Sequence, residues 1–119
     1  MLDTFLATPP FLSQQEIDRR LACTHAAKIT LNRIVELIHE APDAAPSREL
    51  RRFLWSLFNG HHVINLYRLR HALDRQQPGW ATEVFTAWMN GHVSEEFLRR
   101  ALSDSGDMEP RDTTPRPHT

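Results

Sequence analysis

Ser47-Arg48-Glu49-Leu50-Arg51-Arg52-Phe53-Leu54-Trp55-Ser56-Leu57-Phe58-Asn59-Gly60 reads as one amphipathic helix. Leu50, Phe53, Leu54 and Leu57 recur at i, i+3, i+4 and i+7. At about 100° per residue that spacing gathers them on one side. Ser47 is of the type that caps a helix start, and Gly60 suits a left-handed stop. Arg48, Arg51, Arg52 and Trp55 fall on the opposite side. A helix with one apolar side buries it against other elements, and those elements decide the fold class.

Toward the C-terminus the neighbours are again helical. His61 to Ile64 is a short connection in which Val63 and Ile64 are expected to be buried. Asn65 caps a third helix bearing Leu66, Leu69 and Leu73. Gln76-Gln77-Pro78-Gly79 ends it, and Pro78 fits the first turn of a fourth. Trp80, Ala81, Val84, Phe85, Trp88 and Met89 spread over about half the circumference of that fourth helix. Either it is the most buried helix, or part of it forms a partner groove or, through Phe85, Trp88 and Met89, a self-association face for a homodimer. Asn90-Gly91 stops it. Ser94 caps a last helix with Glu95 and Glu96 first and Arg99 and Arg100 near its end, as the macrodipole favours. From Ser103 the chain is polar apart from Met108, so residues 103–119 are predicted to be a disordered tail.

Toward the N-terminus, Pro42 to Pro46 reads as a loop and residues 1–12 as an extension closed by Thr8-Pro9-Pro10. Ser13-Gln14-Gln15-Glu16 has the form of a capping box, in which the Ser13 hydroxyl accepts the Glu16 amide and the Glu16 carboxylate reaches back to Ser13. Leu12 and Ile17 would staple that start. The helix should run to about His39 or Ala41, with Ile17, Leu21, Leu31, Val35 and Ile38 on one stripe. Thr24 and Lys28 interrupt the stripe. The pair Ala26-Ala27 either admits a neighbouring helix closely or marks a kink, which leaves one helix or two. The expected fold is therefore all-α, a compact bundle of four to five helices over residues 13–102. No stretch has a strand pattern, Val63-Ile64 being too short.

The 119 residues suit a single domain that folds without disulfides or metal. Net charge is −1, so no global field draws the protein to nucleic acid or a membrane. Cys23 is the lone cysteine, the N-terminus lacks a basic leader, and no apolar run approaches the roughly 20 residues that cross a bilayer. Those features point to the cytoplasm. Basic charge concentrates between Arg48 and Arg75, and almost all of it is arginine, the residue suited to stacking and bidentate contacts.

Three chemistries were weighed against the spacing. Metal binding finds no ligand pattern: His61-His62 are adjacent, Cys23 and His25 lie about 200° apart on a helix, and Glu36-x-x-His39 has no second copy. Nucleophilic catalysis finds no elbow, phosphate loop or paired base, so no catalytic residue and no cofactor is expected. Binding is better supported. Trp55 among Arg48, Arg51 and Arg52 has the composition of a protein-binding hot spot, the alternative being that Trp55 packs under a neighbouring segment. Arg68, Arg70 and His71, on a short helix after an arginine-bearing one, form the rival candidate, a nucleic-acid-binding regulator.

Ser47-Arg48, Phe58-Asn59-Gly60, Val63-Ile64, Asn65 and Leu73-Asp74 together resemble an uncharacterised bacterial family found on plasmids, integrative elements and phages. In that family an Asp is expected where Asn65 stands, which changes charge but not capping. The resemblance covers residues 47–74 and rests on structural residues, so it transfers no active site. It implies an accessory protein of a mobile element, with anti-defence inhibitors such as anti-CRISPR proteins among the expectations. The partner is then another protein.

Overall fold

Periodic apolar spacing and local caps produce five helices in the computed structural model, which describes residues 12–106. They are α1 (Gln14–Glu40), α2 (Ala45–Phe58), α3 (Leu66–Ala72), α4 (Gln77–Met89) and α5 (Glu95–Asp104). Among the described residues no strand occurs, and no helix is long and apolar enough to cross a membrane. The protein is an all-α bundle. Residues 1–11 and 107–119 lie outside the described residues, and with them most of the predicted extension and tail.

Three helix starts follow their predicted caps. The side-chain oxygens of Ser13, Asn65 and Ser94 accept the amides of Glu16, Arg68 and Phe97 at 3.0, 3.0 and 3.1 Å. Each satisfies a donor that a helix start leaves without an intrahelical partner. The return half of the capping box is absent: the Glu16 carboxylate turns along α1 to Arg19 and Arg20 instead. Arg19 first and Arg20 next hold the Glu16 carboxyl below the usual carboxylate range.

α1 is one continuous helix, which settles the question posed by Ala26-Ala27. Ala27 is fully buried, and α1 packs most extensively on α4. Small side chains let the two backbones approach. The Thr30 hydroxyl donates to Glu83 Oε1 across this contact at 2.7 Å. Of the predicted stripe Leu31 and Ile38 are buried and Val35 partly so, with Ala27, Thr30 and Ile34 buried beside them, while Ile17 is 37 % and Leu21 63 % exposed. Periodicity placed Leu21 on the apolar stripe, but no described residue buries it.

α2 contacts all four other helices and carries the centre of the core. Leu50 and Leu54 are fully buried and Phe53 nearly so, against Ile34 and Ile38 of α1, Leu69 and Leu73 around α3, and Val84 and Leu98 of α4 and α5. Its start differs from expectation. The helix begins at Ala45, two residues before Ser47, because Pro46 is tolerated in a first turn. Ser47 is fully buried, and its hydroxyl is aimed at the Leu37 carbonyl of α1 (3.4 Å) rather than capping α2.

The helix ends also divide. Gly91 (φ 80°) closes α4 with paired bonds, Gly91 N to the Trp88 carbonyl at 3.1 Å and His92 N to the Ala87 carbonyl at 2.8 Å. That is the Schellman pattern, and it needs a left-handed residue. Gly60 is not left-handed: Asn59 leaves α2 in an extended conformation and its side chain accepts the His61 amide at 2.8 Å. Gly91→Ala should therefore destabilise the protein by about 1–2 kcal/mol in urea unfolding. Gly60→Ala, with open space around the added carbon, should stay within about 0.5 kcal/mol of the parent. Equal losses at both positions would contradict this assignment of the two stops.

α5 continues two residues past the expected boundary at 102, to Asp104. Ser105 is buried and its hydroxyl donates to the Leu102 carbonyl at 2.9 Å. The polar composition after Leu102 suggested an earlier end, but one more turn packed on the bundle gives the backbone its hydrogen bonds. α4 is not the most buried helix. Ala81, Val84 and Ala87 are buried and Trp80 and Trp88 half-buried, whereas Phe85 and Met89 are 45 % and 62 % exposed.

Candidate functional site

The arginine-bearing side of α2 does not act as one face. Arg51 donates to the Pro42 carbonyl at 3.2 Å and Arg48 to the Asp43 carbonyl, so both fasten the turn between α1 and α2. Trp55 is half-buried against the core. It stacks on His62 with ring centroids 4.8 Å apart and meets Phe58 edge-on at 5.8 Å. Trp55 is thus the packed residue of the alternative reading rather than an open hot spot. The connection 59–65 folds back over α2 and brings His62 onto the indole, which helical periodicity has no means of showing.

Arg48, beyond its bond to the turn, and Arg52 have a second setting. They line a groove of about 610 Å³ between α2 and α3, whose other wall holds Tyr67, Arg68 and His71. Residues from the two rival binding sites therefore share one surface. Arg70 does not line it and is simply exposed on α3. Asn65 sets the groove's geometry, because its side chain caps α3 by accepting the Arg68 amide and so fixes where the helix begins. His71 Nδ1 lies 2.9 Å from the Tyr67 carbonyl. A carbonyl only accepts, so Nδ1 carries the proton, and Nε2 accepts when the ring is neutral. The Tyr67 and His71 rings lie 4.1 Å apart, tilted by 33°.

Two functional features escaped the sequence. Tyr67 is 72 % exposed, and Leu66 and Val63, close to it in the chain, are exposed as well. Val63, expected to be buried, is 90 % exposed, because the connection puts Ile64 rather than Val63 against the core. The other feature is Glu49, a buried carboxylate on the groove wall, paired through Oε2 with Arg52. Its i, i+3 spacing from Arg52 was a legible signal; its burial was not.

Away from the groove, the Phe85 and Trp88 rings lie 6.1 Å apart, and with Met89 they leave an apolar edge on α4. Cys23 and His92 line the same pockets between α1 and α4, but no hydrogen bond joins them. Among the described residues no three His, Cys, Asp or Glu side chains gather as a metal site. The chain matches no family model, no curated protein and no solved structure.

Proposed function

We propose that this protein is a non-enzymatic interaction module that docks an acidic surface of another protein in the α2–α3 groove. The observation that carries the reading is the convergence of Arg48, Arg52 and Arg68 with the exposed Tyr67 on one groove, with Val63 and Leu66 exposed on the same connection and helix start. Arginine and tyrosine are the residue types enriched at the energetic centres of protein interfaces. Nucleic acid would use the arginines and Tyr67, but it gains little from two exposed aliphatic side chains, and Glu49 opposes phosphate. The resemblance over residues 47–74 supports the setting, an accessory or inhibitor protein of a mobile element, of the anti-defence type. The free Cys23 agrees with action in the cytoplasm.

Capture from bacterial lysate tests the reading, with the tagged chain beside a Tyr67→Ala variant and with or without nuclease. A defined protein band that survives nuclease and is lost with Tyr67→Ala is expected. The thermal midpoint should stay put, since Tyr67 is exposed. Recovery that needs nucleic acid would transfer the groove to the regulator reading, and a partner retained by Tyr67→Ala would end the assignment of this surface.

A further inference from the structure

The α2–α3 groove holds a misfit among its donors. Glu49 is only 5 % exposed and gives Oε2 to Arg52, yet its Oε1 is buried without any hydrogen-bond partner. A buried carboxylate oxygen lacking a donor costs free energy, and native structures keep few of them. Glu49 lines the open groove, although Oε1 itself has less than 1 Å² of accessible surface, so a donor from outside reaches it as the carboxylate turns toward the groove. Around it the charge is opposite. Each guanidinium has five N–H groups, so Arg48 and Arg68 keep donors to spare beyond the one bond Arg48 makes to the Asp43 carbonyl.

A matching ligand therefore presents N–H donors and carboxylates side by side. We infer that the element entering this groove is the uncapped, acidic first turn of a partner helix. A helix start carries backbone N–H groups with no intrahelical acceptor and a partial positive charge, and it favours Asp and Glu in the same turn. Its orphan N–H meets the orphan oxygen of Glu49, which acts as a cap supplied from another chain. Its carboxylates meet Arg48 and Arg68, and an apolar residue just before the turn rests on Leu66 and Tyr67. An acidic loop or strand lacks the clustered donors. A phosphate offers only acceptors and meets Glu49 as a like charge. The inference rests on the protein-docking reading of the groove and specifies the partner's contact element.

Two stapled helical peptides of about 18 residues test it, long enough to hold helix in water. They share composition, net charge and blocked ends. One starts with three glutamates and no capping side chain; the other carries the same glutamates in its last turn. Each is titrated into the isotopically labelled full chain while amide shifts are followed. The first should shift amides of residues 47–52 and 65–71 and bind at least about tenfold tighter, the weight of one charge-assisted hydrogen bond. Glu49→Gln keeps the shape and removes the charge, and should bring the two peptides within about threefold of each other. Equal affinities, a preference that survives Glu49→Gln, or no shifts from either peptide at millimolar concentration would overturn the inference. The two readings fail separately. A captured protein that depends on Tyr67, together with peptides showing no polarity preference, leaves the module standing and removes the helix-start assignment.

Discussion

Leu54→Ala is expected to remove about 3–5 kcal/mol of stability, the largest effect of any single truncation in this bundle. Leu54 is fully buried on the one helix that touches all four others. Truncation there opens a cavity that no single helix can close by shifting, since α2 is held from several sides at once. A domain of this size has about 5–15 kcal/mol in total. The thermal midpoint should therefore fall by about 12–40 °C, on a scale of about 4–8 °C for each kcal/mol. Leu66→Ala is the control: the same chemistry at a residue 67 % exposed should change stability by less than about 0.5 kcal/mol. Urea unfolding of both variants decides the matter. A loss below about 1 kcal/mol at Leu54 would mean that α2 is not the centre of the core.

Arg48→Glu combined with Arg68→Glu should weaken the captured partner by about 100-fold or more, with little change in unfolding. The two residues face the groove from α2 and α3, and reversing them turns attraction for an acidic surface into repulsion. Arg68 is exposed, and the single bond from Arg48 to the Asp43 carbonyl contributes about 1 kcal/mol at most on the protein's own account. Arg52 is left intact because it neutralises Glu49; reversing it would set two carboxylates together and damage folding as well as binding. Calorimetric titration at low and high salt measures the effect. Rim charges act through association and are screened, so the parent's affinity should also fall as salt rises. Affinity that stays within about threefold of the parent in the double variant would show that the arginines are not the contact.

How much was legible depends on the range of the interaction. Ser13, Asn65 and Ser94 cap their helices from within three residues, so type and spacing alone revealed them. The same holds for the core of α2, where Leu50, Phe53 and Leu54 are buried as the 3.6-residue period requires. Gly91 was legible for a related reason, since its left-handed turn is closed by bonds within α4 itself.

Errors arose where a distant segment competes for a residue. Ser47 could cap α2 or bond to α1, and the Leu37 carbonyl took it. Trp55 stood open between a contact residue and a packed one, and the connection after Asn59 decided it by bringing His62 onto the indole. Leu21 sits on the stripe of α1 that periodicity indicates, yet it is 63 % exposed, since periodicity does not say how far along a helix its neighbours pack. The groove itself is the clearest case. Arg48 and Arg52 belong to one helix and Tyr67 and Arg68 to the next, and nothing local measures the angle at which α3 returns along α2. Sequence alone determined where the helices lie and which sides are apolar, because hydrogen bonds and periodicity act within a few residues. Only tertiary packing decided which arginines share a surface and that Glu49 is buried among them, because the burial of Leu69 and Leu73 sets the position of α3.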